Sequence, residues 1–286
     1  MQIFERAAEL QVYLRNLQKT GKTIGFVPTM GALHEGHLSL VRTSRAKTDI
    51  TIVSLFVNPT QFNNPEDFKR YPSQPEKDKS LLASVGCDVV FIPLPQEIYP
   101  EGTKELPNYP LGFLETIMEG KFRPGHFQGV CQVVSRLLNI VEPDILFLGR
   151  KDLQQCKVIE HLLEITGKKD QIQLEICPTL REDNGLAMSS RNMRLNPEDR
   201  KKAAMLYKGM TDLKNAFGKT SFDKERKLII DHLENNGFSV EYLELADSNT
   251  LEILNDWDKE RSITICIAAY LSNVRLIDNM ILHTVQ

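Results

Sequence analysis

Two histidines frame Glu35-Gly36 in the stretch Pro28-Thr-Met-Gly-Ala-Leu-His-Glu-Gly-His37, directly after the short apolar run Thr23 to Val27. That run is partly β-branched and reads as a buried strand. Pro28 and Gly31 end it, and Leu38-Ser-Leu-Val-Arg-Thr-Ser-Arg45 continues as a helix. The turn therefore lies at the carboxyl edge of a strand and delivers Gly36 and His37 to a helix N-terminus. Backbone N–H groups and the positive end of the helix dipole favour an anion there. Gly36 lets the backbone approach a ligand without a Cβ in the way. His34 and His37 can each donate a hydrogen bond to phosphate, and imidazolium would add charge during a reaction. One such histidine is the ordinary property of a surface loop. Two around a glycine at a strand-to-helix turn form a device for holding ATP phosphates while they are displaced.

Three further loops carry candidate chemistry. In Phe56-Val-Asn-Pro-Thr-Gln-Phe62, Asn58 and Gln61 are neutral amides suited to a hydroxyl or carboxylate, although Asn-Pro is also a plain turn signal. In Leu148-Gly-Arg-Lys-Asp-Leu-Gln-Gln-Cys156 a glycine turn again leads from strand to helix. Lys151 can bridge phosphate oxygens as a compact point charge, and a lysine at that place opposes the helix dipole. Asp152 fits an N-cap, while Gln154 and Gln155 lie in the first turn, where one can face a pocket. Arg181-Glu-Asp-Asn-Gly-Leu-Ala-Met-Ser-Ser-Arg-Asn192 reads as a mobile arm able to close over a triphosphate, Arg191 offering planar bidentate donors. A plain interdomain linker is its alternative. Gly120-Lys-Phe-Arg-Pro-Gly-His-Phe-Gln-Gly129 is either a lid carrying Arg123 or His126 or a rigid turn. Asp78 faces a metal or merely solvent. Mg²⁺ would arrive with ATP, held largely by phosphates and water, and no protein ligand for it is named by the sequence.

The elements that must position these loops alternate. Helices over Ala7 to Gln18, Glu76 to Ser84, Gly129 to Ile140 and Leu153 to Ile165 separate apolar strands at Asp49 to Val57, Asp88 to Ile92, Asp144 to Leu148 and Gln173 to Cys177. Such spacing predicts βαβ units and a parallel sheet covered on both faces, with ligands beyond the carboxyl ends of the strands. After about Pro178 the pattern changes. Asn196-Pro-Glu-Asp opens a helix, a charged helix covers Asp223 to Asn235, and strands follow at Phe238 to Leu245, Arg261 to Ala269 and Val274 to Leu282. The expectation is an α/β first domain over residues 1–178 and a smaller α+β domain over 179–286.

A chain of 286 residues exceeds what one core usually serves, in accord with two domains. A net charge of −3 and no Lys/Arg cluster give no reason to expect nucleic acid as a partner. No apolar run is long enough to span a membrane, and the first residues lack the layout of a signal peptide. The five cysteines, Cys87, Cys131, Cys156, Cys177 and Cys266, are scattered and read as buried hydrophobes of a reduced cytosolic protein. There is no Gly-x-x-x-x-Gly-Lys-Ser/Thr loop, and no Gly-x-Gly-x-x-Gly after a strand.

The combination of the histidine turn, the Asn58 and Lys151 loops, Lys121-Phe-Arg-Pro-Gly-His-Phe127 and Gly185-Leu-Ala-Met-Ser-Ser-Arg-Asn192 resembles the pantothenate synthetase (pantoate–β-alanine ligase) family of the His-x-Gly-His nucleotidyltransferase superfamily. The resemblance implies a Rossmann-like domain, a lid-like C-terminal domain and a cytoplasmic homodimer. It implies that ATP, with Mg²⁺, adenylates pantoate and that β-alanine then displaces AMP. His37, His34 and Lys151 would be the catalytic groups. Met30, Gly31, Ala32, Leu33, His34, Glu35, Gly36 and His37 would line the ATP site with Gly149, Arg150, Lys151, Asp152, Leu180, Met188, Ser189, Ser190 and Arg191. Gln61 and Gln155 would hold pantoate, Gln61 also lying near β-alanine, with Asn58 beside them. Leu180 stands where the family pattern has valine, and Asn184 where aspartate is common. Two other readings remain. A nucleotidyltransferase acting on a phosphate acceptor would need a basic acceptor pocket in place of these amides. A regulatory nucleotide-binding protein would not need both histidines and the lysine.

Overall fold

Runs such as Ile24–Thr29 and Val89–Phe91 place apolar side chains at consecutive positions, which only a strand covered on both faces can bury. A computed structural model describes residues 1–63, 65–69 and 71–285 and shows how they are covered. Gln286, the last residue of the expected second domain, lies outside the described residues. The chain forms two units, residues 1–149 with 158–178, and residues 150–157 with 179–286. Residues 150–157, which the sequence pattern places with the first domain, thus belong to the second unit.

The first unit holds a six-stranded sheet of β1 (Gln2–Phe4), β2 (Ile24–Thr29), β3 (Ile50–Leu55), β4 (Val89–Phe91), β5 (Ile145–Gly149) and β6 (Gln173–Cys177). Its order is β1-β4-β3-β2-β5-β6 and every pairing is parallel. The three-residue edge strand β1 is too short to leave a period in the sequence. From β2 the chain first adds β3 and β4 on one side and later β5 and β6 on the other. The switch point, where such sheets bind ligands, is therefore between β2 and β5. Pro28, expected to end the strand, lies inside β2. Its missing N–H would point toward β5, where pairing already stops at Phe26↔Leu146.

The helices are α1 (Ala7–Gln18), α2 (Glu35–Lys47), α3 (Pro65–Lys69), α4 (Pro75–Ser84), α5 (Pro95–Ile98), α6 (Met118–Phe122), α7 (His126–Val141) and α8 (Leu153–Ile165), the last running on from the second unit into the first. One face of the sheet meets α2 and α4 through Val27, Leu38, Val41, Val53, Leu82 and Val90. Where α2 crosses β2, Gly25 has no room for a side chain. A Cβ there would stand 2.2 Å from Ser44 Oγ and 3.0 Å from the Phe147 ring. Ser44 is itself fixed, being buried and 2.8 Å from Thr51 Oγ1.

The second unit contains α9 (Pro197–Ala203), α10 (Met205–Ala216) and α11 (Phe222–Asn235), with an antiparallel sheet of β7 (Phe238–Asp247), β8 (Ile253–Leu254), β9 (Ile263–Leu271) and β10 (Val274–His283). Asn196 caps α9, its Oδ1 accepting from Asp199 N at 2.8 Å. The helix expected from there is divided at Ala204 into α9 and α10. Leu206, Met210, Leu213, Phe222 and Leu233 form one core with Leu243, Leu245, Ile265 and Ile267. All five cysteines are buried thiols, and burial pushes Cys87 and Cys131 up to about 12, so neither is a nucleophile near neutrality.

The Gly25 contact gives a stability prediction. Gly25→Ala should cost about 1–3 kcal/mol by overpacking, read as a lower urea midpoint, and adding Ser44→Ala should recover part of it. An unchanged midpoint would mean that α2 shifts freely on the sheet.

Candidate active site

The histidine turn is held by a carboxylate from elsewhere in the first unit. Gly31 and Ala32 both have positive φ, 78° and 50°. A chain bent this way cannot place its N–H groups in a ladder or a helix. Asp78 of α4 accepts both bonds, from Ala32 N at 2.9 Å and Leu33 N at 2.8 Å, and is 2 % exposed. Asp78 is thus turned to these backbone N–H groups and away from solvent. Gly31 N bonds Thr29 Oγ1 at 3.2 Å. Gly31, Ala32 and Leu33 are therefore buried and their N–H groups are taken, whereas Met30, His34, Gly36 and His37 are only partly covered and Glu35 is exposed beside Arg42.

His34 is the N-cap of α2. Its Nδ1 accepts from Gly36 N at 3.1 Å, and His37 Nδ1 accepts from His34 N at a longer 3.4 Å. The pair forms a capping box in which imidazoles replace the usual hydroxyl and carboxylate. A neutral imidazole that accepts at Nδ1 carries its proton on Nε2. Both rings, 4.0 Å apart, are thereby fixed as Nε2–H donors.

The second loop forms a 3-10 turn, Pro59–Gln61, capped by Asn58. Asn58, expected to face a substrate, is only 1 % exposed and works on its neighbours. Tyr99 donates to its Oδ1 at 2.8 Å, while its Nδ2 donates to Gln61 Oε1 at 3.1 Å and to Gly129 O at 3.0 Å. Burial raises the Tyr99 phenol, which stays a donor. With Oε1 engaged, the Gln61 amide turns its N–H₂ toward Met30, 3.1 Å from its Sδ.

In the second unit Arg150–Asp152 form a 3-10 turn ahead of α8, and Lys151 lies 3.3 Å from Asp152 Oδ1. Asp152 pairs with this lysine. Gln154 is buried and Gln155 partly exposed. Asn279 of β10 donates to Arg150 O at 2.8 Å and Lys151 O at 2.9 Å. Beside it, Asp278 takes a bidentate pair from Arg181 at 2.6 and 3.0 Å, and Arg181 stacks on the Tyr207 ring at 4.5 Å. The stretch read as a mobile arm is tied down by these contacts, by the Arg181↔Ala187 bridge and by Asn192 Nδ2, which donates to Ala187 O at 3.0 Å. Leu180 is 39 % exposed, and Asn184 Oδ1 accepts from Leu186 N at 3.0 Å. Ser189 caps the turn Ser190–Arg194 through Arg191 N, Ser190 is buried, and Met188 and Arg191 are partly exposed.

Asp78, weighed from sequence only against metal and solvent, escapes it as the holder of the turn, and Tyr99, Asp278 and Asn279 escape it altogether. Only the last two leave a signal, a polar pair inside the apolar strand Val274–His283. Among the described residues no group of three His, Cys, Asp or Glu side chains is placed to hold a metal.

A family model described as pantoate-beta-alanine ligase matches residues 2–281. A pantothenate synthetase of Christiangramia forsetii is 44 % identical over 286 residues, covering 99 % of this chain and 100 % of the relative. One from Cytophaga hutchinsonii is 41 % identical over 96 % of both chains. Among solved structures, the pantothenate synthetase of Thermus thermophilus superposes with a TM-score of 0.90 at 38 % identity, covering 99 % of this chain and all of the other. The pantoate-beta-alanine ligase of Francisella tularensis, crystallised with beta-gamma ATP and beta-alanine, gives 0.83 at 36 % identity, covering 99 % of this chain and 98 % of the other. Matched almost from end to end in sequence and in fold, the chain belongs to the pantoate–β-alanine ligase family.

Proposed function

We propose that the chain condenses (R)-pantoate with β-alanine to pantothenate in two steps driven by ATP. A carboxylate oxygen of pantoate attacks the α-phosphorus, the bond to the β-phosphate breaks, and pyrophosphate leaves. The β-alanine amine then attacks the acyl carbon of pantoyl adenylate, the bond to AMP breaks, and the amine proton passes to solvent. The observation that carries this reading is the pair of imidazoles held as Nε2–H donors at the start of α2, beside family membership.

His34, His37 and Lys151 stabilise charge on the transferring phosphates, which is positioning and electrostatic work. His37 acts as a hydrogen-bond donor to a good leaving group. Met30, His34, Gly36, His37, Gly149 to Asp152, Leu180 and Met188 to Arg191 line the ATP site. The taken N–H groups of Gly31, Ala32 and Leu33 shape it from behind. Gln61 and Gln155 hold pantoate, and Asn58 orients Gln61. Mg²⁺ comes as part of the substrate MgATP, held largely by phosphates and water. Residues 1–149 with 158–178 form the larger, Rossmann-like unit and residues 150–157 with 179–286 a smaller lid-like one, in a cytoplasmic homodimer. No helix among the described residues is long and apolar enough to cross a membrane.

ATP–pyrophosphate exchange should require pantoate and proceed without β-alanine. Release of ADP, or exchange indifferent to pantoate, would sink the adenylate route. Lys151→Ala should lower turnover roughly 10²–10³-fold with the urea midpoint unchanged. A variant that merely unfolds would make the lysine structural.

A further inference from the structure

From sequence the Gly120 to Gly129 segment is a lid or a rigid turn. In the first unit it is bonded to the loop that carries Gln61. His126 opens α7 and is 6 % exposed, with Nδ1 2.8 Å from the Gln61 carbonyl oxygen and Nε2 3.0 Å from Arg123 Nη1. A guanidinium offers only N–H donors, so Nε2 must accept. The single proton of the neutral ring is then on Nδ1 and is donated to Gln61 O. Glu119, buried and 3.5 Å from the same Nη1, steadies the arginine.

Backbone approach closes the same contact from another side. At Gly129 a Cβ would stand 2.4 Å from Thr60 O and 2.6 Å from Gln61 N, so only glycine lets α7 lie this close to the turn. Asn58 Nδ2 donates to Gly129 O at 3.0 Å, and Asn63 Nδ2 donates to Pro124 O. The Gln61 main chain is thus gripped by α7 while its side-chain amide is turned by Asn58.

We propose that His126 is a positioning residue for the hydroxy-acid substrate: held by Arg123 as the neutral Nδ1–H tautomer, it anchors the Gln61 backbone and so aims the Gln61 amide at pantoate. This rests on the reading of Gln61 as a pantoate ligand. The lid alternative is replaced by a buttress whose specificity lies in which ring nitrogen carries the proton.

Two substitutions separate the tautomer from bulk. In His126→Asn the side-chain amide reaches the place of Nδ1 and can still donate to Gln61 O. In His126→Gln it reaches the place of Nε2 and leaves that carbonyl without its donor. The pantoate KM should rise by no more than about threefold for Asn and by about tenfold or more for Gln, with the ATP KM unmoved in both. In a Gln61→Ala background the His126→Gln increment should vanish, because the amide being aimed is gone. ¹⁵N NMR of the ring in the full chain should find Nδ1 protonated. Equal losses for Asn and Gln, a full increment on top of Gln61→Ala, or a proton on Nε2 would overturn the positioning role while leaving Gln61 as a ligand. A Gln61→Ala variant with unchanged pantoate KM would overturn the reading of Gln61 itself, and this proposal with it.

Discussion

The histidine turn depends on where two backbone N–H groups go. Leaving a parallel strand through two residues of positive φ, the chain has no ladder or helix partner for Ala32 N and Leu33 N. Water cannot serve them in a buried corner. Asp78 supplies one oxygen to each from α4. Hydrogen bonds to a charged acceptor contribute about 1.5–3 kcal/mol each, and an orphaned buried donor costs a comparable amount. The turn is therefore fixed to the strand on one side and to α4 on the other before any ligand arrives. Only then does His34 fall at the N-cap and His37 one turn position later.

The same arrangement recurs in each unit, with one polar group held in place by a buried one. Asn58 commits its amide to Gln61, and Tyr99 commits its hydroxyl to Asn58. In the second unit Asn279 holds the carbonyls of Arg150 and Lys151, and Asp278 beside it is ion-paired with Arg181. Buried pairs of this kind contribute little net stability, because desolvation offsets their attraction. Their value is geometric, since a group that does not reorganise during the reaction stabilises developing charge more effectively. The burial of Asp278 and its bidentate partner is consistent with that use.

What the sequence discloses follows from what is local. Strands read correctly because consecutive apolar residues have one explanation, and the strand-to-helix course of the histidine turn reads correctly because its pattern is contiguous. The holders are remote. Asp78 lies 45 residues from Leu33, in a helix start of Pro-Glu-Lys-Asp-Lys where an acid ordinarily complements the helix dipole. Nothing local distinguishes it from Glu76, which is paired with Lys79 on the surface. Asn58 misleads in the opposite sense, looking like a ligand group because its partners Tyr99 and Gly129 are far along the chain. The division between α9 and α10 is equally hidden, since the helical pattern continues through Ala204.

Imidazoles at the capping positions also decide what kind of help the turn can give. Aspartate would satisfy the first N–H groups of α2 as well, but would leave no donor for a phosphate. An imidazole has two nitrogens with opposite roles, so one ring caps the helix and still presents an N–H. Protonating either ring would turn its Nδ1 from acceptor to donor and break the cap. Two rings 4.0 Å apart at the positive end of a dipole make a second charge costlier still. A phosphate at this turn would therefore meet Nε2–H donors that leave both Nδ1 caps in place.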